Sequence, residues 1–440
     1  MNQSDSERIR SVIERVGFII TEQESEADLI GVIACSVRQK AIDKVYSKIH
    51  KWNKWKKEKP LITFVSGCIL PTDEGKFLKL FDLLFRMNQL SELPGMLSDC
   101  GIVTPFSISN NTQIIQKVND LTDFWQVKPS YTKKFEAFIP IQNGCDKLCS
   151  FCAVPYTRGK EVSRSSSDIL EEVRNLVSNN VKSITLLGQN VNSYGLDKLN
   201  NELSFAELLE EIGKIGVVSG KVFWVYFTSP HPRDMTRDVI EVISSYDCLA
   251  KQIHLPLQSG DDKLLRRMNR NHNVEDYLRV ITDIRNLLPS ATIFTDIIVG
   301  FCGESDEQLA KTAEIMLEVQ FNMAYIAKYS PRIGARSARW EDDVSNEKKS
   351  ERLARLTEVL KRTSLLYNES LVGKKLKVLV EREDPRMPGA VSARTEGKLP
   401  VRVSNVSKEV VGTFIEVEIT SASELSLSGN LVHNNSLIRS

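Results

Sequence analysis

From residue 4 onward the hydrophobic pattern alternates between helical and strand-like segments. Ser4 and Glu7 have the spacing of a capping box, which predicts a helix running to about Val16. The apolar runs Asp28–Ala34 and Leu61–Val65 predict short buried strands, and the charged stretch from about Arg38 to Lys57 predicts a long helix between them. Strand–helix–strand order implies a parallel, doubly wound sheet. The chain enters this pattern on a helix, with no strand in front of it.

Beyond the mixed stretch Val103–Pro129, a second region begins near Tyr131. Strand-like runs recur at Ala137–Ile141, Ser183–Leu187, Val222–Phe227, Gln252–Leu257, Ile293–Val299 and Met323–Ala327, with helices between them. Six such units predict a partial (β/α) barrel. Polar residues follow the strands at Asn143, Gln189–Asn190, Thr228–Ser229, Gln258–Ser259 and Gly300–Glu304. That is the C-terminal rim, where barrels of this kind carry their chemistry. Toward the C-terminus the pattern changes again. Leu376–Glu381, Val401–Val403 and Thr413–Ile419 are short alternating strands separated by Gly, Pro and Ser, as in a small all-β barrel of OB-like size. The expected architecture is therefore α/β over 1–110 (doubly wound sheet, first strand missing), a (β/α)6 barrel over 131–361, and a small β-barrel over 364–434.

Composition narrows the function classes. At 440 residues the chain is too long for one ordinary core. Lys plus Arg number 58 against 57 Asp plus Glu, so no global field draws the chain to nucleic acid or membrane, and RNA binding must come from local patches. The charges of the small barrel nearly cancel, so a passive accessory role stands beside an RNA-binding one. No run approaches the roughly 20 apolar residues that span a bilayer. The N-terminus is polar, without an export signal, so a cytoplasmic protein with no membrane partner is expected. In a reducing compartment clustered thiols read as metal or catalytic sites. Three of the eight cysteines are clustered, while Cys35, Cys68, Cys100, Cys248 and Cys302 are scattered.

The cluster is Cys145, Cys149 and Cys152, spaced C-x3-C-x2-C directly after the first barrel strand. A structural zinc site wants a fourth ligand nearby, and the nearest downstream histidine is His231, which leaves zinc with a distant ligand as the lesser reading. Three thiolates suit a [4Fe–4S] cube with one iron open. An open iron can chelate the amino and carboxylate groups of S-adenosylmethionine (SAM) and reduce its sulfonium, releasing a 5′-deoxyadenosyl radical.

Longer runs allow a closer comparison. Pro140 to Gly159, with Glu161 and Ser163–Arg164, resembles the methylthiotransferase family of radical SAM enzymes. So do Leu187–Gly195, Thr228–Pro232, His254–Gly260 and Asp296–Phe301, which together span nearly the whole chain. The resemblance implies that the small barrel is a TRAM domain, an RNA-binding module. It also implies conversion of N6-isopentenyladenosine at tRNA position 37, in the anticodon stem-loop, to its 2-methylthio derivative. Two SAM molecules are then consumed, one as methyl donor and one as radical source. An aromatic C–H at C2 offers no acidic proton, hence the radical. A monomer served by a reductant such as flavodoxin or ferredoxin is expected. Relatives acting on threonylcarbamoyladenosine tRNA or on a ribosomal-protein aspartate, or an inactive iron–sulfur RNA-binding relative, are the alternatives; the Val154–Gly159 and Thr228–Pro232 runs favour the isopentenyl substrate.

The resemblance further implies a second [4Fe–4S] cluster on three cysteines of the N-terminal domain, handling sulfur. Cys35 and Cys68 each end a predicted strand, the edge where doubly wound sheets place ligands. The family's first cysteine normally precedes a run like Met1-Asn2-Gln3, so the expectation is a chain that begins late and lacks the third ligand. At the rim, Gly188, Gln189 and Asn190 are expected to meet the SAM amino group, with Ser229, Gln258 and Arg266 as further SAM or substrate candidates. Arg158 and Arg164 are expected at a SAM carboxylate or RNA phosphate, or as solvated surface charges. Lys51 to Lys57 mixes cations with Trp52 and Trp55, an RNA-like composition that reads better as a half-packed helix end. Cys302 reads as a neutral substitution, Cys100 and Cys248 as ordinary thiols, and His231 and His254 take no assigned role.

Overall fold

The computed structural model describes residues 1–35, 39–101, 122–199 and 201–432; of the stretch Val103–Pro129, the part up to residue 121 lies outside them. The chain forms two compact units, the first made of Met1–Thr132, Asn143–Arg164 and Arg332–Ala338, the second of the remainder.

In the first unit three parallel strands, Leu29–Cys35, Ile62–Cys68 and Leu83–Leu84, stand in that order. Alternation sends Ile30, Ala34 and Val65 to one face, where Ile42, Val45, Ile49 and Trp52 of the helix Gln39–Trp55 cover them. Phe64 and Ile33 point to the other face, against Ile9 and Val12 of the helix Asn2–Arg15 and against Leu90, Leu93, Phe124 and Trp125. Both faces are buried, as a parallel sheet requires. The expected capping box is overturned. The helix starts at Asn2, and Ser4 and Glu7 lie inside its first turns. Ser4 Oγ accepts from Arg8 one turn on in the same helix, and the Glu7 carboxylate accepts from Thr132 Oγ1, 125 positions away, so neither group is left for capping. The Lys51–Lys57 segment behaves as a half-packed helix end: Trp52 is buried, and Lys51 lies over the Trp55 ring.

In the second unit six parallel strands follow chain order. Glu136–Pro140, Ser183–Leu187 and Trp224–Phe227 form one sheet; Gln252–His254, Thr292–Val299 and Met323–Lys328 form another. The bridge Val225 to Leu249 joins the two. The intervening helices are marked by capping boxes at Ser204/Glu207, Asn273/Asp276 and Ser305/Gln308. The small barrel closes from five strands, ordered Lys375–Glu383, Ala390–Thr395, Pro400–Ser404, Leu427–Leu431, Phe414–Ala422. Ala390–Thr395 and Leu427–Leu431 were not expected from the sequence. Its core is Val378, Val380, Val391, Val401, Val403, Val417 and Ile419. The helix Asn346–Glu369 runs through residues 361 to 364, where the sequence pattern placed a boundary.

Candidate functional site

The three-cysteine loop is shaped by backbone that only special residues adopt easily. Gly144 has φ of 84°, and a Cβ there would lie 1.9 Å from the Lys160 carbonyl oxygen. Cys145 N–H donates to Gly159 O at 3.3 Å and Cys152 N–H to Cys149 O at 3.0 Å. All three cysteines are half-buried and carry thiols, not disulfides. Val154 N–H donates to Cys152 Sγ at 3.5 Å, the kind of donor that a cluster thiolate uses. Burial pushes the Cys145 thiol up to about 11, and the neighbouring Cys149 adds to the effect. Among the described residues no three His, Cys, Asp or Glu side chains converge on one metal-sized point. The donor set and its N–H···S contact fit a [4Fe–4S] cluster.

The second thiol site lies in the same unit. Cys35 and Cys68 are register partners on adjacent parallel strands, so their Cα atoms sit about 4.8 Å apart. Cys35 is half-buried and Cys68 buried. Gly67, at φ 98°, lets the strand end pass close to Ala34, whose carbonyl oxygen would be 2.7 Å from a Cβ. These two thiols fit two positions of a three-thiolate cluster; no third His, Cys, Asp or Glu joins them in a metal-holding group among the described residues.

Arg158 is where the sequence reading fails. It is neither a surface charge nor exposed to phosphate: its side chain is 5% exposed. The guanidinium donates to Cys68 Sγ at 3.0 Å, to Asp5 Oδ2 at 2.5 Å and to Asn143 Oδ1 at 3.3 Å. Burial works against its charge, but Asp5 and Cys68 more than restore it, so the cation is held above its ordinary value. Burial also raises the Cys68 thiol, a rise that the Arg158 charge opposes. Arg164 is buried as well. No local signal could have shown this, because Asp5 and Arg158 lie 153 positions apart.

In the second unit the rim residues occupy the ends of successive strands. Gly188 and Asn190 are buried after the second strand, with Gln189 half-buried between them. Asn190 Nδ2 donates to Asp234 at 3.0 Å, while its buried Oδ1 has no hydrogen-bond partner among the described residues. Ser229, after the third strand, takes φ of 60°, and its carbonyl accepts from Val191 N–H. Gln258, after the fourth, takes φ of 70° and bridges to Ile297, and its buried Oε1 also has no partner among the described residues. Left-handed backbone at non-glycine residues and buried polar atoms without partners both cost stability and gather at functional sites. Arg266 is exposed on the helix Asp262–Arg267. Glu304 belongs to the scaffold: it is buried and accepts from Gly300 N–H and Arg352. Cys248 and Cys302 are buried, and Cys100 is exposed.

Three family models match the chain: the Radical SAM superfamily over residues 139–316, Uncharacterized protein family UPF0004 over 1–85, and the TRAM domain over 369–432. The chain is 37% identical to the tRNA-2-methylthio-N(6)-dimethylallyladenosine synthase of Oceanobacillus iheyensis, over 99% of this chain and 82% of that protein. It is 36% identical to the synthase of the same name from Carboxydothermus hydrogenoformans, over 98% and 97%. Among solved structures, the radical S-adenosylmethionine methyltransferase TsrM from Kitasatospora setae superposes with a TM-score of 0.53 at 11% identity, over 89% of this chain and 74% of that one. The cobalamin-dependent S-adenosylmethionine radical enzyme OxsB gives 0.51 at 13%, over 80% and 53%. At that identity the likeness carries the fold alone.

Proposed function

The chain belongs to the tRNA-2-methylthio-N(6)-dimethylallyladenosine synthase family, and on that premise we propose that it exchanges the C2 hydrogen of N6-isopentenyladenosine in tRNA for a methylthio group. The observation that carries the reading is the presence of two thiol sites in one unit, the Cys145–Cys152 loop and the strand-end pair Cys35/Cys68. A radical enzyme needs the first; a sulfur-inserting one needs both. When bound, [4Fe–4S] clusters at these sites supply the electron that splits SAM and the sulfur that enters the product.

The residues of the chain do the rest. Cys145, Cys149 and Cys152 would each give one thiolate to the loop cluster, which would supply the reduction of SAM. Arg158 fixes the Cys68 thiol by an N–H···S bond and is itself fixed by Asp5. Gly188, Gln189, Asn190, Ser229 and Gln258 are the residues we assign to SAM. The unpaired Asn190 Oδ1 and Gln258 Oε1 are suited to accept from its ammonium or ribose hydroxyls. The substrate is the anticodon stem-loop, and the small C-terminal barrel, which matches the TRAM domain, is the part we assign to holding it. We infer a cytoplasmic monomer fed by a flavodoxin or ferredoxin; no helix among the described residues is long and apolar enough to cross a membrane.

Anaerobically reconstituted, dithionite-reduced protein should yield 5′-deoxyadenosine from SAM and, with an isopentenylated stem-loop RNA, the methylthio nucleoside by mass spectrometry. Methylthiolation of a threonylcarbamoylated RNA instead would overturn the substrate, and no 5′-deoxyadenosine at all would overturn the enzyme.

A further inference from the structure

Three neighbouring strands of the barrel carry a polar group that none of the roles above uses. Along them, Ile253, Leu255, Thr295 and Ile297 are almost completely buried. The residues between, His254 and Asp296, therefore face the opposite, inner side of the sheet. Register places Asp296 beside Tyr325 and Phe294 beside His254, so His254, Asp296 and Tyr325 form one patch across three strands. His254 Nε2 and Asp296 Oδ2 are 2.8 Å apart, and the His254 and Tyr325 ring centroids are 5.5 Å apart. The pair keeps 22% and 34% side-chain exposure, and Tyr325 is 51% exposed. Among the described residues, neither His254 Nδ1 nor the second oxygen of Asp296 has a hydrogen-bond partner, and neither side chain supports a turn or cap. An imidazole–carboxylate pair held in mid-barrel with its working edge unspent is arranged for a ligand.

Its chemistry selects that ligand. In the tautomer that carries its proton on Nε2, the imidazole donates to the Asp296 carboxylate and presents Nδ1 as a hydrogen-bond acceptor. An adenine alkylated at N6 presents acceptors at N1, N3 and N7 but a single N–H donor, at N6. The half-exposed Tyr325 ring beside it offers a stacking face of the kind used for unstacked bases.

We propose that His254, oriented by Asp296, positions the substrate base by accepting a hydrogen bond from its N6–H, with Tyr325 as the stacking surface. This rests on the functional reading above. His254 is then a specificity-determining residue, and Asp296 a positioning residue that acts through the imidazole tautomer.

The test compares two stem-loop RNAs on the reconstituted holoenzyme, one carrying N6-isopentenyladenosine and one carrying its N6-methyl derivative, which has no N6–H. For the wild type the extra methyl should lower kcat/KM about tenfold, mostly through KM, the worth of one hydrogen bond. In His254→Ala that penalty should collapse to less than about twofold. Asp296→Asn keeps the shape of the site but can donate to Nε2, moving the ring proton to Nδ1, and the penalty should collapse there too; a purely structural role for the pair would leave it in place. A penalty that stays tenfold in either variant overturns the assignment. A wild type that makes no methylthio product from isopentenylated RNA overturns the functional reading and this assignment with it, an outcome distinct from an active wild type whose variants keep its preference.

Discussion

Two thiol sites in one unit solve different problems. The Cys145–Cys152 loop is half-exposed and local: its three donors come from eight consecutive residues, and Cys145 and Cys152 are tied by backbone hydrogen bonds to Gly159 and Cys149. The Cys35/Cys68 pair is assembled across two strands and locked from outside by Arg158 and Asp5. Spacing alone makes a ligand set of the first, whereas the second exists only because a parallel register aligns two strand ends. The contrast suits the proposed division of labour. A cluster that binds a diffusing cofactor needs an accessible edge, and one that hands over sulfur needs a fixed position.

Removing donors breaks the comparison most sharply. Cys149→Ala should abolish 5′-deoxyadenosine formation together with the iron of the loop site; retained SAM cleavage would mean the loop is not the radical site. The double change Cys35→Ala, Cys68→Ala should instead abolish methylthiolation while 5′-deoxyadenosine still accumulates. Loss of both products at once would show that the sites do not work separately. Iron content gives the same contrast in the wild type. About eight atoms per chain would show that the strand-end pair completes a second cluster, about four that only the loop is filled.

Arg158→Met probes what holds the second site. It strands the fully buried Asp5 carboxylate, so the whole chain should lose roughly 3–5 kcal/mol in denaturant unfolding. A midpoint within error of the wild type would mean that the buried pair is not a structural lock.

The smallest effects should come from the glycines that precede Cys145 and Cys68. Gly144→Ala and Gly67→Ala both place a side chain on left-handed backbone, at about 1–3 kcal/mol each. The loop should suffer more, because its carbonyl neighbour is 1.9 Å from the new Cβ against 2.7 Å at Gly67. The reverse order in thermal unfolding would show the loop to be the more yielding of the two.

Much of this molecule was written locally. The six barrel strands and the helices between them follow from hydrophobic period and capping residues. The three-thiol loop follows from spacing after a strand, since ligands close in sequence cannot end far apart in space. The two small-barrel strands that the hydrophobic pattern does not mark, Ala390–Thr395 and Leu427–Leu431, mix Ser, Gly, Arg and Asn among their apolar positions, so their pattern resembles a turn until partner strands supply the ladder.

What the tertiary structure alone decided are the long-range pairings. These are the Cys35 to Cys68 register, the Arg158 bridge from the cluster loop to Asp5, and the His254–Asp296–Tyr325 patch across three strands. In each case the residue types are common and their meaning comes from the neighbour. An arginine reads as a solvated charge until folding removes its water and supplies a carboxylate, and a histidine reads as indifferent until a second strand fixes which of its nitrogens is left to bind.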